Sequence, residues 1–444
     1  MQNTQMSPAP ATFLQKIKII GPGFIWAAGA IGSGELIIST KVGAEYGLIF
    51  LWALWLGVWL KYWIQKGILD LTILTGKPIL ELWHVGKFGK LSSWFWILFF
   101  VLNATGVAGL LGLSASILNV LIPMLSVNIW AGIVTASIVL IAYYQKYSSF
   151  EKTMLLFCSV LAIGTFLTAA LSVPGATDIL AWGIPTSAAS ALIFLSLLGW
   201  GAGSGPDLMV PYSWWITEKG YQDLGLNAGQ GKPLMEFRDN ASVRTVKEWL
   251  NLAKWDTMFG YIAAGLVASV FMIAGSEILR PRGIIVDGLP VLKNLSMIFT
   301  STFGEWTFLL FMIPAFAAIY STALAVFDGG RMSIAHIARL LSGRPTVPTA
   351  DMRSNVWYRV TLVLFSIVPL ILFLGVQRPV LLVIIASIMS AISMPLLAGQ
   401  VFWTLLKQVP SEYRPGKFYM ANLFLSILVY LFFMGQSFYG LLVK

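Results

Sequence analysis

Long apolar runs separated by short polar connections cover almost the whole chain. About eleven of these runs reach the length of about 20 residues that a helix needs to cross a hydrocarbon core of roughly 30 Å. The pattern predicts an all-α polytopic membrane protein with about eleven transmembrane helices. The predicted spans are 17–46, 48–72, 91–122, 128–145, 153–173, 188–217, 250–275, 302–328, 356–375, 378–407 and 417–442.

Two of these spans are interrupted by glycine in a way that an ordinary membrane helix is not. Residues 29–35 in span one read GAIGSGE, and residues 199–207 in span six read GWGAGSGPD. The breaks lie five spans apart at equivalent places, which is the pattern expected of two inverted five-helix repeats with broken helices 1 and 6. We therefore predict a single transmembrane domain over 1–444, with repeats at 17–173 and 188–407 and an additional helix at 417–442.

The two breaks form the candidate binding site. Unwound backbone in the membrane is tolerated only where its polar groups face a cavity or a ligand, and an intramembrane carboxylate is a functional candidate by default. An acid follows each break, so the site should be an oxygen-rich cation site. The candidate substrate-binding residues are Glu35, Asp207, Gly32, Ser33, Gly34, Gly203, Ser204, Gly205, Ser387 and Ser393, of which Glu35 and Asp207 are the candidate metal ligands.

These candidates also have purely structural explanations. Each acid begins a half-helix, where the helix dipole stabilises a carboxylate and free amides can be capped. Ser387, Ser390 and Ser393 share one face of span ten, which could line a pathway or simply allow close packing. Asn103 in span three is better explained by an interhelical hydrogen bond than by ligand binding. Lys61 falls within span two, and we expect its long side chain to snorkel.

Composition and charge support the membrane class. Hydrophobic residues make up 57% of the chain, charged residues 11%, and the mean hydropathy is +0.80. The net charge of +10 does not indicate a nucleic-acid partner, because the lysines and arginines concentrate on alternate connections, as topology requires. This bias places the N-terminus in the cytoplasm and the C-terminus outside it. We expect a monomer in the lipid bilayer, and the compact loops fit a bacterial inner membrane.

Few residues could support a resident metal or a catalytic reaction. The single cysteine, Cys158, precludes a cysteine metal site, and His84 and His336 are expected in polar connections rather than in spans. No nucleophile–base pairing or cofactor motif in its proper context is apparent. We therefore expect no cofactor apart from a transported cation, and no enzymatic activity.

Several segments resemble the Nramp family of divalent metal transporters. These are residues 21–24 (GPGF), the first break, residues 44–47 (AEYG), residues 75–77 (TGK), the second break and residues 393–395 (SMP). The resemblance covers nearly the whole chain and implies the LeuT-type fold, which agrees with the repeats inferred from the breaks. It also implies that the half-helices move against a scaffold of the third, fourth, eighth and ninth spans.

The departures from the family pattern change the expected chemistry. The family's Asp-Pro-Gly-Asn is replaced by residues 32–35 (GSGE), and its Met-Pro-His by residues 205–207 (GPD). The soft methionine ligand is therefore missing, as is the first aspartate, and the family's acid on span three has no counterpart near Asn103. The remaining carboxylate, hydroxyl and carbonyl oxygens suit hard cations such as Mg²⁺ or Mn²⁺. We expect proton coupling to be weak or absent.

Three functional hypotheses remain open. The first is a cation transporter that works by alternating access, with Glu35 and Asp207 binding the ion. The second is a transporter of another small solute (an organic cation, an amino acid or an anion), because the glycines leave more room than the family motifs. The third is a membrane sensor that keeps the fold without transport.

Overall fold

The protein is an all-helical membrane protein. The computed structural model describes residues 9, 29, 31–85, 88–144, 152, 156, 160, 163–168, 170, 178–201, 203–220, 233–284, 286–288, 291–343 and 356–442. Within these residues there is no β-strand, and the only bridge pairs Gly201 with Gly203. Seven helices in this part of the chain are long and apolar enough to cross a membrane: Gly89–Leu121, Val127–Tyr144, Asn240–Arg282, Glu305–Leu341, Val356–Val376, Pro379–Lys407 and Lys417–Tyr439.

Most of the helices follow the predicted spans, and two short ones (Ile79–His84 and Val291–Phe303) were not predicted. The helices are α1 (Thr40–Tyr46), α2 (Leu51–Thr75), α3 (Ile79–His84), α4 (Gly89–Leu121), α5 (Val127–Tyr144), α6 (Ala188–Gly199), α7 (Pro206–Lys219), α8 (Asn240–Ala274), α9 (Val291–Phe303), α10 (Phe308–Leu341), α11 (Val356–Val376), α12 (Pro379–Lys407) and α13 (Lys417–Leu442). A π-helical segment, Ser33–Ser39, runs into α1, and a second one, Gly275–Leu279, extends α8.

Two predicted boundaries and one predicted environment were wrong. Helix α8 begins at Asn240, so the amphipathic stretch before residue 250 is helix rather than connection. Helix α10 runs on to Leu341, well past the predicted end at residue 328. His336 therefore lies inside a helix, where its side chain is 1% exposed and its ring meets the Trp214 ring edge-on. Amphipathic ends are too polar to count as membrane span, which is why hydropathy placed the start of α8 too late and the end of α10 too early.

Parts of three predictions lie outside the described residues. They are residues 17–28 of span one, which include the GPGF segment, most of span five (153–173), which includes Cys158, and residues 221–232 of the connection after α7.

The second break occurs where span six was predicted to be interrupted. Helix α6 ends at Gly199, and α7 restarts at Pro206 with Gly205 as its N-cap. Proline suits the first position of a helix because its missing N–H would lack an intrahelical partner there and its φ is already helical. The residues between the two half-helices are therefore free to present their carbonyls and amides to neighbouring elements.

Glycine lets α1 cross α8 at very short range. A Cβ atom on Gly43 would overlap the Met272 carbonyl oxygen, and a Cβ atom on Gly275 would overlap the Thr40 carbonyl oxygen. The two backbones thus pack against each other directly, as small residues permit in membrane helices. This crossing holds the helix that follows the first break against the long helix α8.

Helix α4 occupies the centre of the packing. It contacts both α10 and α12 extensively, and α13 packs on the outside against α12, α2 and α6. Within α13, the Ser426 hydroxyl donates to the Leu60 carbonyl at 3.2 Å, and the Tyr430 hydroxyl donates to the Leu198 carbonyl at 3.3 Å. The last helix therefore supports α2 and α6 close to the second break.

Two ion pairs join connections that the charge pattern assigns to the same side of the membrane. Arg238, before α8, pairs with Glu412, between α12 and α13, at 2.9 Å. Asp287, after α8, pairs with Arg378, at the start of α12, at 3.2 Å. The first pair belongs to the side predicted to be cytoplasmic and the second to the opposite side.

Candidate functional site

The two breaks are in direct contact with each other. A Cβ atom on Gly34 would overlap the Trp200 carbonyl oxygen, so only glycine allows this approach of the two backbones. The Ser39 hydroxyl lies 3.3 Å from the Gly201 carbonyl oxygen, to which it can donate across the contact. The sequence prediction that the breaks belong together in space is therefore supported by backbone contacts as well as by their spacing along the chain.

Glu35 links the first break to the second. Its side chain is fully buried. The Gly32 amide donates to Glu35 Oε2 at 3.3 Å, and the Gly203 amide donates to Glu35 Oε1 at 3.1 Å. The first contact is the capping interaction that the purely structural explanation proposed. The second contact goes further, because it ties the carboxylate to the other broken helix.

Lys61 is buried at the second break, so the expectation that it would snorkel was wrong. Its side chain is 0% exposed. Lys61 Nζ donates to the Gly199 carbonyl at 2.8 Å and to the Gly203 carbonyl at 2.9 Å. Its positive charge also interacts with both Glu35 and Asp207. A protein cation thus lies where the carbonyls of the second break converge.

Gly203 connects these two charged groups through its own backbone. Its N–H donates to Glu35, and its carbonyl accepts from Lys61. Its φ of +87° lies in the region that favours glycine, because a side chain there crowds the backbone. This conformation directs the N–H and the carbonyl towards opposite charges.

Asp207 lies in a hydrogen-bonded cluster that joins three elements. Its Oδ1 accepts from Trp200 Nε1 at 2.9 Å and from the Ser390 hydroxyl at 3.2 Å. The Ser390 oxygen in turn accepts from Trp200 Nε1 at 3.0 Å and from Asn103 Nδ2 at 3.3 Å. The interhelical hydrogen bond expected of Asn103 is thereby confirmed, since Asn103 lies on α4 and Ser390 on α12.

The two predicted serines of α12 have other partners. The Ser387 hydroxyl donates to the Ile384 carbonyl at 2.8 Å, and the Ser393 hydroxyl donates to the Met389 carbonyl at 2.8 Å. Both acceptors lie in their own helix. The structure therefore brings the middle serine of this face, Ser390, to the acidic side chain.

The remaining predicted residues form the backbone of the two breaks. Gly32 is the N-cap of the π-helical segment, and a Cβ atom there would overlap Thr322. Ser33 follows it, and its side chain lies outside the described residues. Ser204 is buried, and the Gly205 carbonyl accepts from the Leu208 and Met209 amides at the start of α7.

Sequence reasoning missed four residues of this site: Lys61, Ser390, Trp200 and Ser39. An intramembrane lysine is itself a functional signal, so Lys61 could have been selected on that ground. Ser390 lay on the face already singled out. Trp200 lies within the second break but was interpreted as core packing, and nothing in the sequence distinguishes Ser39 from an ordinary packing residue.

The donors available for a cation are oxygen atoms. Within the described residues, no group of three or more His, Cys, Asp or Glu side chains is placed to hold a metal ion. The buried groups at the breaks are two carboxylates, the carbonyls of the second break and the hydroxyls of Ser39 and Ser390. Such a set suits hard rather than soft cations.

Comparison with known protein families identifies one match over nearly the whole chain. The model of the Nramp family, described as natural resistance-associated macrophage protein-like, matches residues 23–441. An uncharacterised protein of Pasteurella multocida is 24% identical over 349 residues, which cover 75% of this chain and 73% of that protein.

Solved structures with the same fold include a manganese transporter, MhsT bound to L-phenylalanine and a nucleobase-cation-symport-1 family transporter. A manganese transporter of Eremococcus coleocola matches with a TM-score of 0.70 at 13% identity, over 97% of this chain and 88% of that one. MhsT in complex with L-phenylalanine matches with a TM-score of 0.56 at 15% identity, over 98% and 100% of the two chains. Mhp1, a nucleobase-cation-symport-1 family transporter, matches with a TM-score of 0.56 at 12% identity, over 94% and 92%. The chain therefore has the LeuT-type fold expected from its two breaks.

Proposed function

The chain belongs to the Nramp family, and from that premise we propose that it carries a hard divalent metal ion, Mg²⁺ or Mn²⁺, across the membrane. It is a multi-pass membrane transport protein and not an enzyme. The ion would bind at the contact between the two breaks, with Glu35 and Asp207 as its charged ligands. The carbonyls of Trp200 and Gly201 and the Ser390 hydroxyl would supply further oxygen ligands.

The observation that carries this proposal is the burial of two carboxylates at adjoining breaks. Glu35 is 0% exposed and Asp207 is 2% exposed. Burying a carboxylate is costly unless a partner offsets the cost, and intramembrane acids accordingly mark ion pathways. Two such groups beside the unwound backbone carbonyls form a site of the chemistry that hard divalent ions prefer.

The residues around the breaks favour a hard ion and weak proton coupling. Gly205 stands where the family pattern has its soft methionine ligand, so selectivity for soft transition metals should be lost. The uncharged Asn103 occupies α4 beside Asp207's partner Ser390. We expect transport without a stoichiometric flow of protons.

Alternating access would proceed by separating the contacts that hold the breaks together. In the present conformation Glu35 is tied to Gly203, and Asp207 is tied to Trp200 and Ser390. An ion that binds to these carboxylates must replace the hydrogen bonds that they accept in this conformation. Binding would thus loosen α7 from α12 and let the half-helices move against their neighbours.

The first experiment is a calorimetric titration of the purified protein with Mg²⁺, Mn²⁺ and Ca²⁺. We expect saturable binding of Mg²⁺ or Mn²⁺ that is lost in Glu35→Gln and Asp207→Asn, and uptake of the same ion into proteoliposomes. Glu412→Gln, which changes a surface carboxylate, serves as the matched control. No binding of any of these metals to folded wild-type protein would overturn the proposal.

A second candidate is a small organic solute that carries an amino group. The two buried carboxylates, Glu35 and Asp207, favour it, because a primary ammonium group could bind to the same acids. If the metals fail to bind, a thermal-shift screen of primary amines and amino acids against the same protein would test this candidate.

A further inference from the structure

We infer that the Lys61 ammonium is a resident cation of the site. It takes the place that a free monovalent cation would otherwise hold at the carbonyls of the second break. For the transport step this inference rests on the proposed function, but the binding test below does not depend on it.

The geometry at Lys61 is that of a cation held by backbone oxygens. Its Nζ lies 2.8 Å from the Gly199 carbonyl and 2.9 Å from the Gly203 carbonyl. Gly199 is the last residue of α6, and Gly203 belongs to the unwound stretch that follows it. Unwound carbonyls in broken helices are the groups that coordinate coupling cations in carriers of this architecture. An ammonium group is close to K⁺ in size, and carbonyl oxygens can replace the hydration shell of either.

The two acids buried near Lys61 favour its charged form. Two acids are buried here with it, and its charge acts on both. Without Lys61, neither acid would have a compensating cation among the groups described above, and buried unpaired charge is strongly destabilising. Since the lysine is covalently attached, this compensation is present whatever the ionic composition on either side of the membrane.

The neighbouring lysine of the same helix provides a contrast. Lys66 pairs with Asp70 at 2.5 Å and lies against the Tyr419 ring, with 13% of its side chain exposed. It makes an ordinary ion pair with a side chain one turn away. Lys61 instead donates to backbone carbonyls of a different element, the second broken helix, so removing the two lysines should have different consequences.

The test is chemical rescue of Lys61→Ala, with Lys66→Ala as the matched control. Removing the lysine side chain leaves space and two free carbonyls, so propylammonium, K⁺ or Na⁺ should raise the Tm of Lys61→Ala saturably, whereas choline should not. We expect no such rise for wild type or Lys66→Ala. A folded Lys61→Ala protein whose Tm responds to none of these ions would overturn the inference.

A second comparison covers the case in which Lys61→Ala does not fold. Lys61→Met removes the charge while keeping most of the volume, and adding Glu35→Gln removes a charge of the opposite sign. We expect the double variant to recover much of the Tm that Lys61→Met loses. A double variant no more stable than Lys61→Met would contradict the inference.

Transport assays then separate the two proposals. With the resident cation in place, divalent-ion uptake by wild type should be the same in K⁺, Na⁺ and choline media, and Lys61→Ala uptake should require K⁺ or Na⁺. Failure of wild type to bind or transport divalent metals would remove the proposed function and leave the rescue result standing. Uptake by wild type that depends on K⁺ or Na⁺ would instead overturn the inference about Lys61.

Discussion

Gly203 determines, at the scale of one residue, how the charged groups of the site meet. Its φ of +87° is strained for any residue with a side chain. We expect Gly203→Ala to lower the free energy of unfolding by about 1–3 kcal/mol and to weaken metal binding, because its N–H and carbonyl orient Glu35 and Lys61. Thermal unfolding in detergent and calorimetry would measure both effects.

The matched control is Gly399→Ala, since no atom lies within 4 Å of the position where a Cβ atom would stand on this helical glycine of α12. Alanine there should be neutral or stabilising by about 0.5–1 kcal/mol. Equal losses of stability in the two variants would show that Gly203 has no special conformational role.

Ser390 is the one serine of its face that serves the acidic cluster. Ser390→Ala removes a donor to Asp207 and an acceptor for Trp200 and Asn103. We expect a loss of about 1–3 kcal/mol in unfolding free energy and weaker metal binding. Ser387→Ala, whose hydroxyl donates only within its own helix, should change stability by about 0.5 kcal/mol or less. Indistinguishable Tm and Kd values for the two variants would contradict this assignment.

The sequence indicated the location of the site but not its contacts. The glycine breaks and their acids follow from the cost of unwound backbone and charge in the membrane, so Glu35 and Asp207 could be selected in advance. Ser387, Ser390 and Ser393 are equivalent in periodicity, and only the packing of α12 against α7 distinguishes Ser390. Lys61 was misassigned because the sequence does not show which face of α2 meets the second break. A lysine on that face is buried, whereas a lysine on another face can extend its side chain to the membrane interface.

The crossing of α1 and α8 depends on glycine at the scale of whole elements. We expect Gly43→Ala to force these helices apart, because the added Cβ atom would meet the Met272 carbonyl, a backbone group that cannot move alone. The cost should be about 1–3 kcal/mol of unfolding free energy. Gly375→Ala, at a position with no neighbouring atom within 4 Å, is the control. A Tm for Gly43→Ala equal to that of the control would mean that the close approach is dispensable.

Helix α8 has a titratable cap at its exposed start, outside the membrane. Asp239 accepts from the Ser242 amide at 2.7 Å, and this hydrogen bond lowers the pKa of Asp239 below its ordinary value of 3.8. Because the folded pKa is depressed, the stabilisation is present above the ordinary pKa and is lost as pH falls through the folded value.

Two variants test this cap. Asp239→Asn should keep the cap without its pH dependence, and Asp239→Ala should lose the cap at every pH, lowering Tm modestly. Tm measured between neutral pH and the acid limit of the detergent-solubilised protein would distinguish them. A Tm for Asp239→Ala equal to that of Asp239→Asn at neutral pH would exclude a capping role.

Elements were predicted best where the hydrophobic pattern alone determines them. Helices α4, α5, α11, α12 and α13 lie within two residues or so of the predicted spans. The ends of α8 and α10 extend into polar sequence beyond any hydrocarbon-spanning run, and helical hydrogen bonding continues there without an apolar signal. The short helix α9 was missed because its 13 residues are too few to suggest a span.

The whole molecule is expected to lie with the Arg238–Glu412 side in the cytoplasm. In a background lacking the native cysteine (Cys158→Ser), Ser411→Cys should resist a membrane-impermeant thiol reagent added to intact cells, whereas Glu305→Cys should react. Both positions are exposed. The basic residues near residue 411 and the predicted outer position of residue 305 underlie this expectation. Reversed labelling would invert the proposed orientation.

The covalent attachment of Lys61 has an electrical consequence for the whole transport cycle. A positive charge that stays in the site offsets part of the negative charge of Glu35 and Asp207 when no ion is bound. Moving one elementary charge through the membrane potential involves about 2.3 kcal/mol per 100 mV. The return of the empty carrier should therefore depend less on voltage than it would with both acids uncompensated, and Lys61→Met should steepen that dependence in current recordings from reconstituted membranes.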